Sequence, residues 1–475
     1  MNTETPTQRD PRLRLLIPLV VAFAFFLEQL DSTIIVTAIP DMARGLGETP
    51  LRLNLALTGY ILSQAVFIPV SGWIADRYGM RRTFCAAIVI FTLGSMACGA
   101  AGSFAMLVAA RVAQGFGGAL MTPVGRLILL RSFPRSELAS AISYMNIPSV
   151  IGPTLGPLAG GFIASYADWR WIFYVNVPFG VLGAMLAWRY VQDVPAERPP
   201  PFDIRGFLLL ALGMLLLQVA LESLGHPFLP WPLVALLFAV SAGVLAWYAF
   251  YARGRANAAL DLTQLRVRSF RVALLAGGIS RIGMNAVPFL LPLMLQVGFG
   301  LSAMQSGSLT FVMSLGTLVA RAVTVRSLRL LGFDRLLLGN TLLCALGIAG
   351  FALLGPAVPH AAIIGYVLVF GMIRNTQFNT LQTLTYADIP PAGLSRATSL
   401  GGGIQQLTMG VGIAIAAALL SLVAGSERVL PVADFHLVFL LSALFPLVAL
   451  PGFLTLTAQD GVQVSGHRRA TQPRA

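Results

Sequence analysis

The sequence predicts an all-α membrane protein with fourteen transmembrane spans, arranged as two pseudo-symmetric six-helix bundles with two further helices inserted between them. Three observations predict it. Of the 475 residues, 56% are hydrophobic and 11% charged, with a mean hydropathy of +0.79, a surface that no soluble chain of this length presents to water. Fourteen apolar stretches reach about 20 residues, the length that crosses hydrocarbon as a helix. The chain also repeats itself weakly at an offset of eight spans rather than six.

The apolar stretches centre near Phe26, Phe67, Phe91, Leu120, Ile151, Gly180, Met214, Val240, Ala286, Met313, Ala345, Gly371, Gly410 and Phe445. Arg9, Arg12 and Arg14 precede the first, as they would in a secretory signal. Residues 13–39 run well past a signal's short apolar core and are followed by further spans, so a retained first helix is expected. The repeat aligns Tyr78-Gly79-Met-Arg-Arg82 with Leu331-Gly332-Phe-Asp-Arg335, and Ser132–Ser143 with Asp388–Ser399. Two six-span bundles, 1–193 and 259–460, then flank a two-helix insert with its linkers, 194–258, and a tail follows at 461–475. Pro195–Pro201 and the basic stretch Arg253–Arg271 bracket the insert.

Charge sets orientation. With the N-terminus inside, inner segments carry 23 arginines and outer loops four, which places both termini in the cytoplasm of a bacterial inner membrane. The net charge of +13 does not point to nucleic acid, because the basic residues fall in short clusters between apolar runs. All 32 basic residues are arginine. Without lysine there is no Walker A loop and no Schiff base, so ATP-driven transport by this chain alone is excluded. Cys85, Cys98 and Cys344 lie inside apolar runs and read as packing. His226, His360, His436 and His467 are scattered, so neither a metal nor a cofactor is expected.

Four motifs carry chemistry. Span one holds Glu28 and Asp31, three residues apart and so near one face, which must turn away from lipid. Buried carboxylates can load and release protons, or they can form a structural ion pair. The loop after span two reads Gly72-Trp-Ile-Ala-Asp76-Arg77-Tyr-Gly79-Met-Arg81-Arg82, with a turn at Gly79 and arginines facing the cytoplasm. Span four places Arg111 within an apolar helix, facing either a partner or, by snorkelling, the outer surface. Asp31 and Arg111 each lie roughly 10 to 15 Å below the outer surface at 1.5 Å per residue, so they can pair. Span five carries Gly152, Pro153, Gly156, Pro157, Gly160 and Gly161, a stripe that admits a neighbouring helix closely.

With Asp168-Trp-Arg-Trp-Ile-Phe-Tyr-Val-Asn-Val-Pro178 entering span six, these motifs resemble the major facilitator superfamily over nearly the whole chain, in its fourteen-span drug:H+ antiporter branch. Arg281-Ile-Gly-Met-Asn-Ala-Val-Pro-Phe and Pro123-Val-Gly-Arg126-Leu look like the MdtD-type transporters. The resemblance implies proton-coupled efflux of drugs or small metabolites by alternating access. A monomer is expected, and no nucleophile, base and orienter stand at a spacing that would make an enzyme. The resemblance also implies a charge latch at Asp76 and the loop arginines, proton transfer at Asp31, Glu28 and Arg111, and outward transport from the span-five motif. The second copy of the loop departs from the pattern, since Arg329 stands where Asp76 would, leaving a one-sided latch.

Cargo is less determined. The spans contain two clear acids, Glu28 and Asp31, against five arginines: Arg111, Arg126, Arg281, Arg321 and Arg374. Arg281 and Arg374 could hold a carboxylate or phosphate in a planar fork. From Arg374 to Thr383 only Phe378 and Leu381 are apolar, so that stretch either lines a vestibule or forms a polar seam. Glu28, Arg281, Asn285, Arg374, Asn375 and Gln405 are the candidate substrate-binding residues. Amphiphilic drugs, anionic metabolites such as organic acids or metal-citrate-type chelates, and a non-transporting sensor on a transporter fold all remain open.

Overall fold

The computed structural model describes residues 13–133, 148–192, 201–225, 229–253, 255, 258, 260, 262–390, 394–424 and 430–465. Every element among them is helical. Apolar segments without water to bond must satisfy their backbone internally, and the helix does this within one segment.

Sixteen α-helices occur among the described residues. They are α1 (Leu13–Ile34), α2 (Ile39–Leu46), α3 (Asn54–Tyr78), α4 (Met80–Gly99), α5 (Phe104–Ser132), α6 (Pro148–Tyr166), α7 (Trp171–Tyr174), α8 (Asn176–Tyr190), α9 (Ile204–Gly225), α10 (Trp231–Ala252), α11 (Arg268–Leu293), α12 (Ala303–Ala349) and α13 (His360–Ala387). Then come α14 (Leu394–Ala424), α15 (Val432–Phe453) and the short α16 (Val462–Ser465). Twelve helices among the described residues are long and apolar enough to cross a membrane. The chain is therefore a multi-pass membrane protein; the length-and-hydropathy criterion stops two short of the expected fourteen.

The described residues fall into two compact units. Unit one contains those up to Leu215 together with 258 and Ser302–Gly307; unit two contains the remainder. In unit one, α6 lies along α1 through its small residues. A side chain at Gly152 would meet Gln29, and at Gly156 and Gly160 it would run into Thr33 and Thr37. Gly161 faces Ala303 and Gly307 in the same way. Phe207 of α9 and the preceding Phe202 pack on Phe67 and Trp73 of α3, with ring centroids 5.7 and 5.0 Å apart respectively.

In unit two, α11 is 78% buried over its apolar window whereas α10 is 17% buried, so α11 is central and α10 peripheral. Trp247 and Phe250 project outward from α10, as lipid-facing aromatics do. The core at one end gathers Val272 and Ala276 of α11, Phe333 and Leu337 of α12, Leu381 and Leu384 of α13, and Phe453 of α15.

The repeat is visible in backbone geometry. Gly79 joins α3 to α4 at φ 93°, and Gly332, its partner in the repeat, breaks α12 at φ 74°. Both conformations are left-handed, where a Cβ would be strained. α12 is thus two helices meeting at Gly332.

Candidate functional site

The candidate site in unit one begins with Arg111. Its place in α5 follows from an apolar helix that has to bury whatever its inward face carries, and the side chain is 1% exposed. Arg111 Nη1 donates to Asp31 Oδ2 at 2.6 Å and to Gln114 Oε1 at 2.7 Å, while Nε donates to the Ala56 carbonyl at 3.3 Å. Its guanidinium carbon lies 4.1 Å from the Tyr60 ring centroid. Snorkelling to the surface is thereby set aside.

Asp31 is held by three residues from two helices, α5 and α8. Besides Arg111, Gln114 Nε2 donates to Oδ1 at 2.9 Å and Asn176 Nδ2, at the start of α8, donates to the same oxygen at 2.8 Å. Asn176 also donates to Ser95 Oγ at 3.1 Å, and Ser95 donates to the Phe173 carbonyl at 2.9 Å. A buried carboxylate with one charged and two amide donors is fully solvated by protein, so its pairing with Arg111 stands without water.

Glu28, one turn earlier, is buried but differently supported. Gln64 Nε2 donates to Oε1 at 2.8 Å and Thr122 Oγ1 donates to Oε2 at 2.6 Å. Both partners are neutral. The Thr122 hydroxyl can also accept, so a protonated Glu28 would keep this bond with the direction reversed.

In the loop motif, Asp76 Oδ1 accepts from Arg131 Nη2 of α5 at 2.7 Å, and the pair is half-buried. Arg77 and Arg82 are exposed, and Arg81 lies over Trp188 at 4.8 Å. The acid's recorded ion pair is thus with Arg131 rather than with an arginine of its own loop. Gly72 is exposed near the end of α3, and Pro153 and Pro157 lie inside α6 beside the glycine stripe.

In unit two, Arg281 is buried on α11 with Asn285 one turn further along the same helix. Arg374, on α13, donates through Nε to the Met284 carbonyl at 3.3 Å. Both guanidiniums approach the Phe378 ring, at 5.6 and 4.8 Å. Asn375 instead bonds within its own helix, Nδ2 to the Gly371 carbonyl at 2.9 Å, and Gln405 is half-buried on α14. The polar stretch after Arg374 is split by helix rotation. Gln377 joins Asn340 and Thr341 of α12 at 2.9 and 2.7 Å in a polar seam, while Arg374, Asn375 and Phe378 remain half-buried.

Sequence reading missed the neutral members: Tyr60, Gln64, Ser95, Gln114, Thr122 and Asn176. Each is a polar residue inside an apolar stretch, which is the one signal available, but such residues are common in membrane helices. The count of two intramembrane acids also needs correction. Glu222, in the last turn of α9, is 7% exposed, so a third acid is buried. None of Cys85, Cys98 and Cys344 is in a disulfide and all three are buried, and no group of metal-binding side chains occurs among the described residues.

A bundle of apolar helices with a charged network sealed inside it is built as a membrane transporter. The chain belongs to the Major Facilitator Superfamily, whose family profile matches residues 21–412. It is 37% identical over 454 residues to a Salmonella newport protein provisionally named multidrug resistance protein MdtD, covering 94% of this chain and 95% of that one. The like-named Pectobacterium carotovorum protein is 38% identical over 440 residues, covering 92% and 94%. Among solved structures, the D-xylose–proton symporter has the same fold, with a TM-score of 0.63 at 14% identity over 92% of this chain and 98% of that chain.

Proposed function

We propose that this transporter is a proton-coupled antiporter that exports amphiphilic small molecules by alternating access. The observation that carries the reading is the sealed Asp31–Arg111–Gln114–Asn176 network, beside which Glu28 has only neutral partners. In this reading protons are exchanged at Asp31, whose pair with Arg111 is made and released in the cycle, and at Glu28 beside it. The names of the MdtD relatives support drug-like cargo. Asp76 with Arg131 serves as the inner latch, broken when the inner face opens.

The topology proposed is fourteen spans in a bacterial inner membrane, with both termini inside. Support comes from α6 (Pro148–Tyr166) and from the half of α12 before Gly332, both additional to the twelve helices already counted. The arginine bias supports the orientation.

The test is reconstitution in vesicles with an imposed proton gradient. Export of a fluorescent amphiphile should cease when an ionophore collapses the gradient, and adding the solute should drive counter-movement of protons. Export that continues undiminished without a gradient would rule out coupling.

A further inference from the structure

Unit two contains a buried guanidinium with two N–H groups that no hydrogen-bond acceptor among the described residues answers. Arg281 is 1% exposed, and its Nε and Nη2 have no hydrogen-bond partner among the described residues. The hydroxyl of the adjacent Ser280 is buried and equally unpartnered. None of the ion pairs among the described residues includes Arg281 or Arg374. Arg111, as deeply buried in unit one, has a carboxylate, an amide and a carbonyl oxygen around it. The same side chain at the same burial is satisfied in one unit and left open in the other.

The surroundings add charge rather than removing it. Since both guanidiniums approach one Phe378 ring, their charges lie within roughly 10 Å of each other. A single aromatic face offers each of them partial compensation and neutralises neither. A desolvated, unpaired cation with free N–H groups requires an acceptor of opposite charge. Guanidinium is matched in shape to planar or tetrahedral oxyanions.

We infer that Arg281, with Arg374 and Phe378, forms an oxyanion-binding subsite that takes the carboxylate or phosphate of a small organic solute. Asn285, one turn from Arg281 on α11, supplies an amide donor on the same side of the helix. The inference deepens the export reading by giving its cargo an acidic group. It rests on that reading only for the word cargo, because binding is measured without transport.

Thermal unfolding of the purified full chain, followed by tryptophan fluorescence, tests it. Sodium succinate and sodium phosphate are titrated separately at constant ionic strength against sodium chloride. At least one should raise the midpoint saturably. Succinate alone identifies a carboxylate site, phosphate alone a phosphate site, and both a general oxyanion site. Arg281→Met should abolish the shift and Arg281→Lys should retain part of it. Without anion, Arg281→Met should melt at or above the parent, because the uncompensated charge is gone. A structural arginine would give the opposite sign. Should Arg281→Met not yield monodisperse protein, Arg374→Gln should weaken the shift instead. No response to either anion, or an equal response in parent and variant, overturns the subsite. Loss of proton flux with an intact anion shift would count against coupling alone; the reverse would remove the subsite and leave coupling standing.

Discussion

Asp31 and Glu28 occupy one face of one helix yet differ in what a proton would do to them. Asp31 neutralises a guanidinium, so Asp31→Asn should leave Arg111 buried without its counter-charge. The expected cost is about 3–5 kcal/mol, read as a lower unfolding midpoint together with loss of export. Removing Arg111 as well should recover much of the stability and none of the transport. Glu28→Gln keeps neutral partners on both sides and should cost less than about 1 kcal/mol. Solute-driven proton release measured in detergent should nevertheless fall, and unchanged release would confine proton exchange to Asp31. At this scale the sequence was legible wherever charge stood alone in an apolar run. Asp31 and Arg111 are found because a charge inside an apolar run is costly to leave unpaired, and their equal depths permit pairing. Gln114, Asn176 and Thr122 are not found, because which neutral polar side chain meets a carboxylate depends on helix rotation by a few tens of degrees. Glu222 was passed over because it lies one turn from a helix end, where a long side chain could equally have reached the surface.

Between α1 and α6 the backbone of α6 lies directly against Gln29, Thr33 and the Ile34 carbonyl, at the spacing of Gly152, Gly156 and Gly160. Gly156→Leu should separate the helices and cost about 1–3 kcal/mol, with the network at Asp31 disturbed because α1 carries it. Gly332→Ala places a Cβ on a left-handed residue, and about 1–2 kcal/mol of destabilisation is expected, matched by Gly79→Ala. Denaturant or thermal unfolding of the two variants checks whether the repeat is energetic as well as geometric. Elements were the most legible level of this protein, since lipid forbids unsatisfied backbone and every long apolar run had to become helix. The glycine stripe and the Gly79 turn were read correctly as close-packing and turn signals. The division of the polar stretch after Arg374 into a buried seam and a half-buried face was not, because a run of polar residues does not state which side each will take.

Counting spans decides the sidedness of everything after α6. With α6 crossing, nine spans precede Ser302, which then lies outside; with α6 not crossing, it lies inside. A membrane-impermeant maleimide should therefore label Ser302→Cys in intact cells and leave Arg266→Cys unlabelled until the membrane is opened. The reverse pattern would return the chain to fewer spans. Such labelling is practical because the three native thiols are all buried. That same feature has a kinetic consequence. Cys98 Sγ lies 3.6 Å from Gln114 Oε1, inside the network around Arg111, while Cys344 lies beside Asn340 in the seam of unit two. Their alkylation by a small permeant reagent can proceed only as fast as the helices around them part. The wild-type chain thus carries a separate clock in each unit, and the ratio of the two rates reports which half breathes first when solute is added.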